Sequence, residues 1–491
     1  MFSCRIRNKI YELHGVIILG EAEMKKIISN ELRLIGQQRV FKGYLVIVLA
    51  LWIVATTISF NQYKNEETTR LSYQNYHRTM WENQDAKNPH MAAHYGTFAF
   101  KPANALSIFD NGINTYSGSF IYLEAHRQND FICSPAQNAS IFIRMGELNL
   151  SFLFQIVLPL LIVTLCIGMF NTEKSTGLLS FIEVNSFSKQ KLLLYKSVAL
   201  LLITVIIYSS LYILTVFLTT ILGVKWQAGN IQSLTGLLIS QLVFSYILIL
   251  LFLFISLKAK DIKHATIVSL SVWILLFFIL PRVAVNIANT IYPLPSNLAF
   301  KEEIKKEVEN GIDGHGRGDR EKILIDSVLK ANHVDSTQKL PVNIDGIMLL
   351  KGEEHTAVIY NKHFSELKKS ILQQQQKAEV ISLFSPYLLI KNLSMSICKT
   401  DLQSEFNFRE QAEAYRYYFV QELNKNMMLK SKENEFNTYK IHKHDFSAIR
   451  DFHYTDFNLS DTLKNKWQEM LALAGLLATM LFVIKTKSKN A

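Results

Sequence analysis

Two histidines stand four residues apart in NPHMAAHY, His90 and His94, and His126 follows downstream. On a helix such a pair shares one face, as the metal-binding imidazoles of an H-E-x-x-H motif do. The intervening glutamate is missing, so there is no zincin signature, and the spacing predicts ordinary hydrogen-bonded or surface histidines. His442, His444 and His453 form a second group with equally unspecific spacing. GHGRGDR (residues 314–320) has glycines but no preceding strand, which argues against a phosphate loop. No Cys–His or Ser–His–Asp arrangement is evident locally. No G-x-x-x-x-G-K-[ST] loop occurs either, so the chain holds no ATP through a Walker motif of its own.

These residues must be positioned by an unusually apolar chain. Only 19% of the 491 residues are charged, and the mean hydropathy is +0.14. Six apolar segments, at 44–60, 152–170, 197–222, 234–257, 265–281 and 467–484, each approach the roughly 20 residues that cross the hydrocarbon as a helix. The fifth is expected to end at Pro281-Arg282. Lys and Arg cluster before the first segment, at 171–196, at 258–264 and after the sixth, whereas the 223–233 loop has only Lys225. Cytoplasmic loops attract such residues, so both termini are expected in the cytoplasm. Trp226 and Trp467 fall at the outer interface, and Tyr44 and Tyr195 at the inner one. The net charge of +11 is thereby accounted for without nucleic acid. The fold class is an α-helical polytopic membrane protein with six transmembrane helices. A mixed α/β extracytoplasmic domain is built from two insertions, 61–151 and 282–466.

The first insertion begins with a polar helical piece and turns to short strands, including 118–124. The second is mainly helical. Phe408, Ala412, Tyr415, Phe419 and Leu423 recur every three or four residues. Residues 25–42 suit an interfacial helix leading into span one. A cleaner start at Met24 makes the first 23 residues a loose tail or an over-long start. Of the four cysteines only Cys133 and Cys398 share a compartment, as a disulfide or as two buried thiols.

The spans carry no ionisable group deep inside; Glu469 lies near the outer end of the last. That disfavours an ion-coupled pump and points to energy supplied by another subunit. Pro159 should kink span two, and Thr164, Ser209, Gln241 and Ser245 offer either a translocation path or ordinary helix–helix contacts. Between spans two and three, FNTEKSTGLLSFIEVNSFSKQKLLLYKSVA (170–199) is longer than a connector requires. Asn171 or Thr172 is expected to cap a short helix holding Glu173 and Lys174. Gly177 permits a turn, and Ser186 or Ser188 starts the next helix. Lys189, Lys191 and Lys196 are expected to face headgroups and cytoplasm.

The run NTEKSTGLLSFIEVNSFSKQKLLLYKSVALLL resembles the cytoplasmic segment of ABC-2 type permeases. The matching positions are Glu173, Gly177-Leu178-Leu179, Ser186 or Ser188, and Lys196, with Leu178 where threonine is frequent. NPHMAAHYGTFAFKPANALSIFDNGINTYSG and SPYLLIKNLSMSICKTDLQSEFNFREQAEAYRYYFVQELN resemble a bacterial subgroup with large extracytoplasmic insertions. The resemblance implies a subunit of the bacterial cytoplasmic membrane that dimerises, as homodimer or heterodimer. It also implies a separate ABC ATPase subunit, which binds ATP and Mg, so that this chain has no cofactor and no catalytic residue. The contact is expected at Glu173, Lys174, Gly177, Ser186, Lys189 and Lys191. Two other readings are a mechanotransmitting or sensory complex that moves its outer domain without translocation, and a membrane-bound hydrolase built on His90, His94 and His126.

Overall fold

The computed structural model describes residues 24–132, 148–184, 188–310, 318–383 and 385–487. The expectations for Ser186, Cys133, the 311–317 loop and the first 23 residues lie outside the described residues.

Six helices are long and apolar enough to cross a membrane. They are α2 (Arg39–Glu82), α4 (Leu150–Ser175), α6 (Lys189–Ile221), α7 (Ala228–Lys258), α8 (Ile262–Ile291) and α16 (Trp467–Lys487). Their outward faces display large apolar side chains such as Ile47, Ile53, Ile206, Phe217 and Ile267. Water does not tolerate apolar patches on that scale, so the bundle has the character of a multi-pass membrane protein. Inside it, α7 is the hub: Phe244, Leu248, Ile249, Phe252 and Leu253 are all fully buried. A helix at 24–37, α1, breaks at Gln38 and docks Ile35 against the bundle core.

Two helices contain prolines that the chain accommodates in the same way. A π-turn at Leu153–Val157 precedes Pro159, and another at Leu275–Ile279 precedes Pro281. Proline lacks an N–H and collides with the carbonyl four residues back. The wider π-turn loosens that spacing, so α8 continues past Pro281 to Ile291.

α2 has 44 residues and is about 66 Å long at helical rise, roughly twice the thickness of a hydrocarbon core. Its far end places Trp81 between Phe419 and Phe446, where the indole N–H donates to the Phe446 carbonyl at 2.9 Å. There the part of the molecule beyond the apolar bundle, called outer for its position relative to the bundle alone, forms around α11 (Ile344–Ser382) and α13 (Leu402–Lys430), helped by α9 (Asn297–Glu309), α10 (Asp319–Ala331), α14 (Lys443–Ala448) and α15 (Leu459–Asn465), while α12 (Pro386–Ile397) turns back into the bundle and buries Tyr387, Leu389, Ile390, Leu393 and Ile397 there. Phe408, Ala412, Phe419 and Leu423 of α13 are buried. The small α3 (Pro89–Tyr95) leads into an antiparallel sheet of order β1-β2-β3, formed by Thr97–Phe100, Phe120–Glu124 and Arg127–Ile132. Gly96 makes the α3–β1 turn at φ +67°, where a Cβ would lie 2.5 Å from the Leu123 carbonyl.

Between sheet and bundle, a loop dips inward. Phe109 packs on Tyr212 with ring centroids 4.7 Å apart. The buried Asp110 accepts from the Gly112 amide at 3.0 Å, from Gln155 Nε2 at 3.1 Å and from Ser394 Oγ. Burial pushes its carboxyl above the usual carboxylate range against those bonds.

Candidate functional site

The stretch at 170–184 joins the bundle more tightly than a connector would. α4 continues through residues 171–175, so Asn171 and Thr172 cap nothing. Asn171 Nδ2 donates to the Ile167 carbonyl at 2.7 Å and to Ser256 Oγ at 3.3 Å, and Thr172 Oγ1 donates back to Gly168 at 3.1 Å. Asn171 is thus used in the α4–α7 contact, while the exposed Thr172 bonds back within its own helix.

Glu173 and Lys174 point inward too. Lys174 Nζ donates to the carbonyls of Ser256, Leu257 and Ala259 at 3.1, 2.6 and 2.6 Å. Those carbonyls are the unsatisfied end of α7, where the helix dipole also favours a cation. Lys174→Met is expected to destabilise the α4–α7 junction by about 1–2 kcal/mol, read as a lower melting temperature of the detergent-solubilised protein. An unchanged midpoint would contradict this role.

Glu173 Oε1 lies 2.8 Å from Lys196 Nζ, and Glu31 Oε1 lies 2.6 Å from the same nitrogen. The Lys196 side chain is only 2% exposed. It is not a headgroup lysine: it forms a buried ion triad that ties α1, α4 and α6 together. Its place one turn inside the apolar run that follows Lys191 was the available signal, and inside-positive loop counting does not separate such a lysine from its neighbours.

At Gly177 the chain turns with φ +73°, a conformation that costs a residue with a Cβ. The seven-residue α5 (Leu178–Val184) follows. Leu179 is buried against the bundle, while Leu178, Phe181 (67% exposed) and Val184 (84% exposed) face outward. Ser188 then caps α6, accepting from the Lys191 amide at 3.2 Å. Lys191 is exposed and Lys189 half-buried beside it.

The residues proposed for a path sit between helices. Tyr212 Oη donates to the buried Gln241 Oε1 at 2.8 Å, and Ser245 Oγ bonds Tyr208 Oη at 3.3 Å. Tyr208 Oη in turn donates to the Phe154 carbonyl, 2.8 Å away in the π-turn. Thr164 bonds its own Leu161 carbonyl at 2.8 Å, Pro159 is buried after the π-turn, and Ser209 is half-buried. A void lined by Leu161, Leu200 and Tyr208 measures about 10 Å³. That is room for about one water, not for a substrate.

The outer part contains a larger opening. A cavity of about 550 Å³ lies between α9, α11 and α13, walled by Phe300, Phe364, Phe406 and Tyr417 with Arg409 and Glu413. Its size falls within the range of ligand pockets. Behind its wall, Arg416 holds Glu413 through two bonds of 2.8 Å and pairs with Glu353. Glu353 also accepts from the His126 amide at 2.9 Å, with Oε2 3.3 Å from His126 Nδ1. His90, His94 and His126 come together there, each offering a nitrogen within 4.8 Å of the others. Their convergence depends on a β2–β3 turn that no local spacing encodes. Cys398 is a buried free thiol at the end of α12.

A family model described as a domain of unknown function, DUF3526, matches residues 299–455. That stretch includes Glu353, Arg416 and most of the cavity wall. Neither the curated proteins nor the solved structures contain a match.

Proposed function

We propose that the chain is the membrane-spanning permease subunit of an ATP-binding-cassette exporter, driven by a separate ATPase subunit that holds ATP and Mg. The observation that carries this reading is α5. Its outer face presents Leu178, Phe181 and Val184 to the surroundings, while its base is wired into three apolar helices through Lys174, Glu173 and Lys196. A partner pushing on α5 would therefore move α4, α6 and α7 together. Glu173 and Lys174 serve as internal anchors in this account, Gly177 as the turn, and Lys189 and Lys191 as the flank of the contact. Covering an apolar side chain of this size contributes about 1.5–3 kcal/mol, enough for a docking helix.

The close packing around Tyr208, Gln241 and Ser245 supports a path between two permease subunits rather than through one. The aromatic cavity of the outer domain is the natural place to receive or hand on substrate. In this reading the bundle lies in the bacterial cytoplasmic membrane, with both termini inside.

The test is a paired substitution, Phe181→Asp with Val184→Asp. Hot-spot losses of about 2 kcal/mol or more correspond to at least about a thirtyfold weaker association with the ATPase. The melting temperature of the variant is read in parallel, and association is compared only for protein that melts cooperatively; Phe181 and Val184 are 67% and 84% exposed. Full co-purification of the ATPase with the variant would exclude α5 as the dock.

The length of α2 favours a second reading, a mechanotransmitting complex. One unbroken helix runs from the apolar bundle to Trp81 in the outer core. Outer-domain movement on ATP hydrolysis, without passage of any substrate, would decide for it.

A further inference from the structure

We propose that His90, His94 and His126 form a binding site for a first-row divalent transition metal, zinc foremost, on the outer domain. Four features of the fold converge on it. Asn88 caps α3, its Oδ1 accepting from the His90 and Met91 amides at 2.8 and 3.3 Å, which fixes the helix that carries two of the rings. The rings of His90 and His94 then meet with their Nε2 atoms 3.1 Å apart. His126 is held in the left-handed region, φ 62°, by the Glu353 carboxylate on its amide, and its ring centroid lies 5.2 and 5.4 Å from the other two. The fourth feature is the surrounding polar shell. His90 Nδ1 contacts Asn424 Oδ1 at 3.2 Å, and Glu353 flanks His126 Nδ1.

That shell is what metal-bound imidazoles require. An amide oxygen or carboxylate on the second ring nitrogen fixes the tautomer and the ring orientation, and it raises the basicity of the nitrogen that binds. Three nitrogens around a tetrahedral zinc at about 2.0–2.1 Å would be about 3.3 Å apart. The His90–His94 separation is already close to that value. The three nitrogens start within 4.8 Å of one another, and rotation about the soft ring torsions is the movement that would close the site. An all-imidazole set selects zinc, copper, nickel, cobalt or iron over magnesium and calcium, which take oxygen ligands. With three protein ligands the fourth position is left for water or a ligand, the pattern of zinc that acts on a bound molecule. His90 is buried, whereas His94 and His126 are half-buried, so that position lies toward the open side.

The ordinary alternative is a hydrogen bond between two neutral rings, and the experiment separates the two. The full chain, purified in detergent and stripped with a chelator, is recharged with Zn²⁺, desalted and assayed for metal; Co²⁺ replaces zinc in a parallel sample. One zinc per chain and the intense visible bands of tetrahedral cobalt are expected. His94→Ala, at a half-buried ring, should lower zinc affinity at least about a hundredfold. Asn424→Ala should lower it about 10–100-fold without removing any ligand. Substoichiometric zinc in the unaltered chain would overturn the site, as would unchanged affinity in His94→Ala. The cobalt spectrum of the unaltered chain keeps the test independent of how any variant folds.

Discussion

Lys196→Met is expected to destabilise the chain by about 3–5 kcal/mol, the cost of removing one partner from a buried ion pair. Methionine fills nearly the same volume, so packing is preserved and the effect isolates the charge. What remains are two carboxylates, Glu31 and Glu173, that had shared one ammonium at 2.6 and 2.8 Å. They then repel each other where water reaches them poorly. The triple variant Lys196→Met, Glu31→Gln, Glu173→Gln removes the repulsion and should recover most of the loss, because residues in one network do not act additively. Thermal unfolding in detergent measures both. A single variant as stable as the parent would mean that the triad holds nothing together, and α5 would lose its link to α6.

The outer domain has an equivalent point of failure in Arg416→Met. The Arg416 side chain is 1% exposed, between Glu353 at 0% and Glu413 at 9%. Removing the guanidinium should again cost about 3–5 kcal/mol. The loss carries a pH signature. Burial already pushes the Glu413 carboxyl above its ordinary range, against the pull of Arg416. Without Arg416 that push goes unopposed. An acid whose folded-state value is raised contributes its stability below its unfolded value and loses it as pH rises through the folded one. Arg416→Met should therefore be most damaged near neutral pH and regain stability as pH falls toward the carboxylate range. Unfolding curves across that window check it. A pH-independent loss would assign the effect to packing instead.

Much of this molecule is legible as sequence because hydropathy and charge act locally. The six apolar helices follow from runs of leucine, isoleucine and phenylalanine. The α13 stripe follows from the spacing of Phe408, Ala412, Phe419 and Leu423. Less legible are features set by partners distant in the chain. Lys196 reads as one more inside lysine until Glu31, 165 positions away, is seen against it. Lys174 reads as a contact residue until the end of α7 is found at its ammonium. Pro281 reads as a stop, and the π-turn before it shows how the helix continues. The histidine trio was visible as three letters, but its geometry needed the β2–β3 turn and the carboxylate of Glu353.

The central claim is that α5 receives the force of an ATPase. The most direct measurement is ATP hydrolysis by the proposed partner ATPase, assayed in nanodiscs with the unaltered chain and with the Phe181→Asp, Val184→Asp variant. The account predicts hydrolysis coupled to the unaltered complex and uncoupled, dissociated ATPase with a variant that still melts cooperatively. Equal stimulation and equal complex formation by the two chains would contradict it.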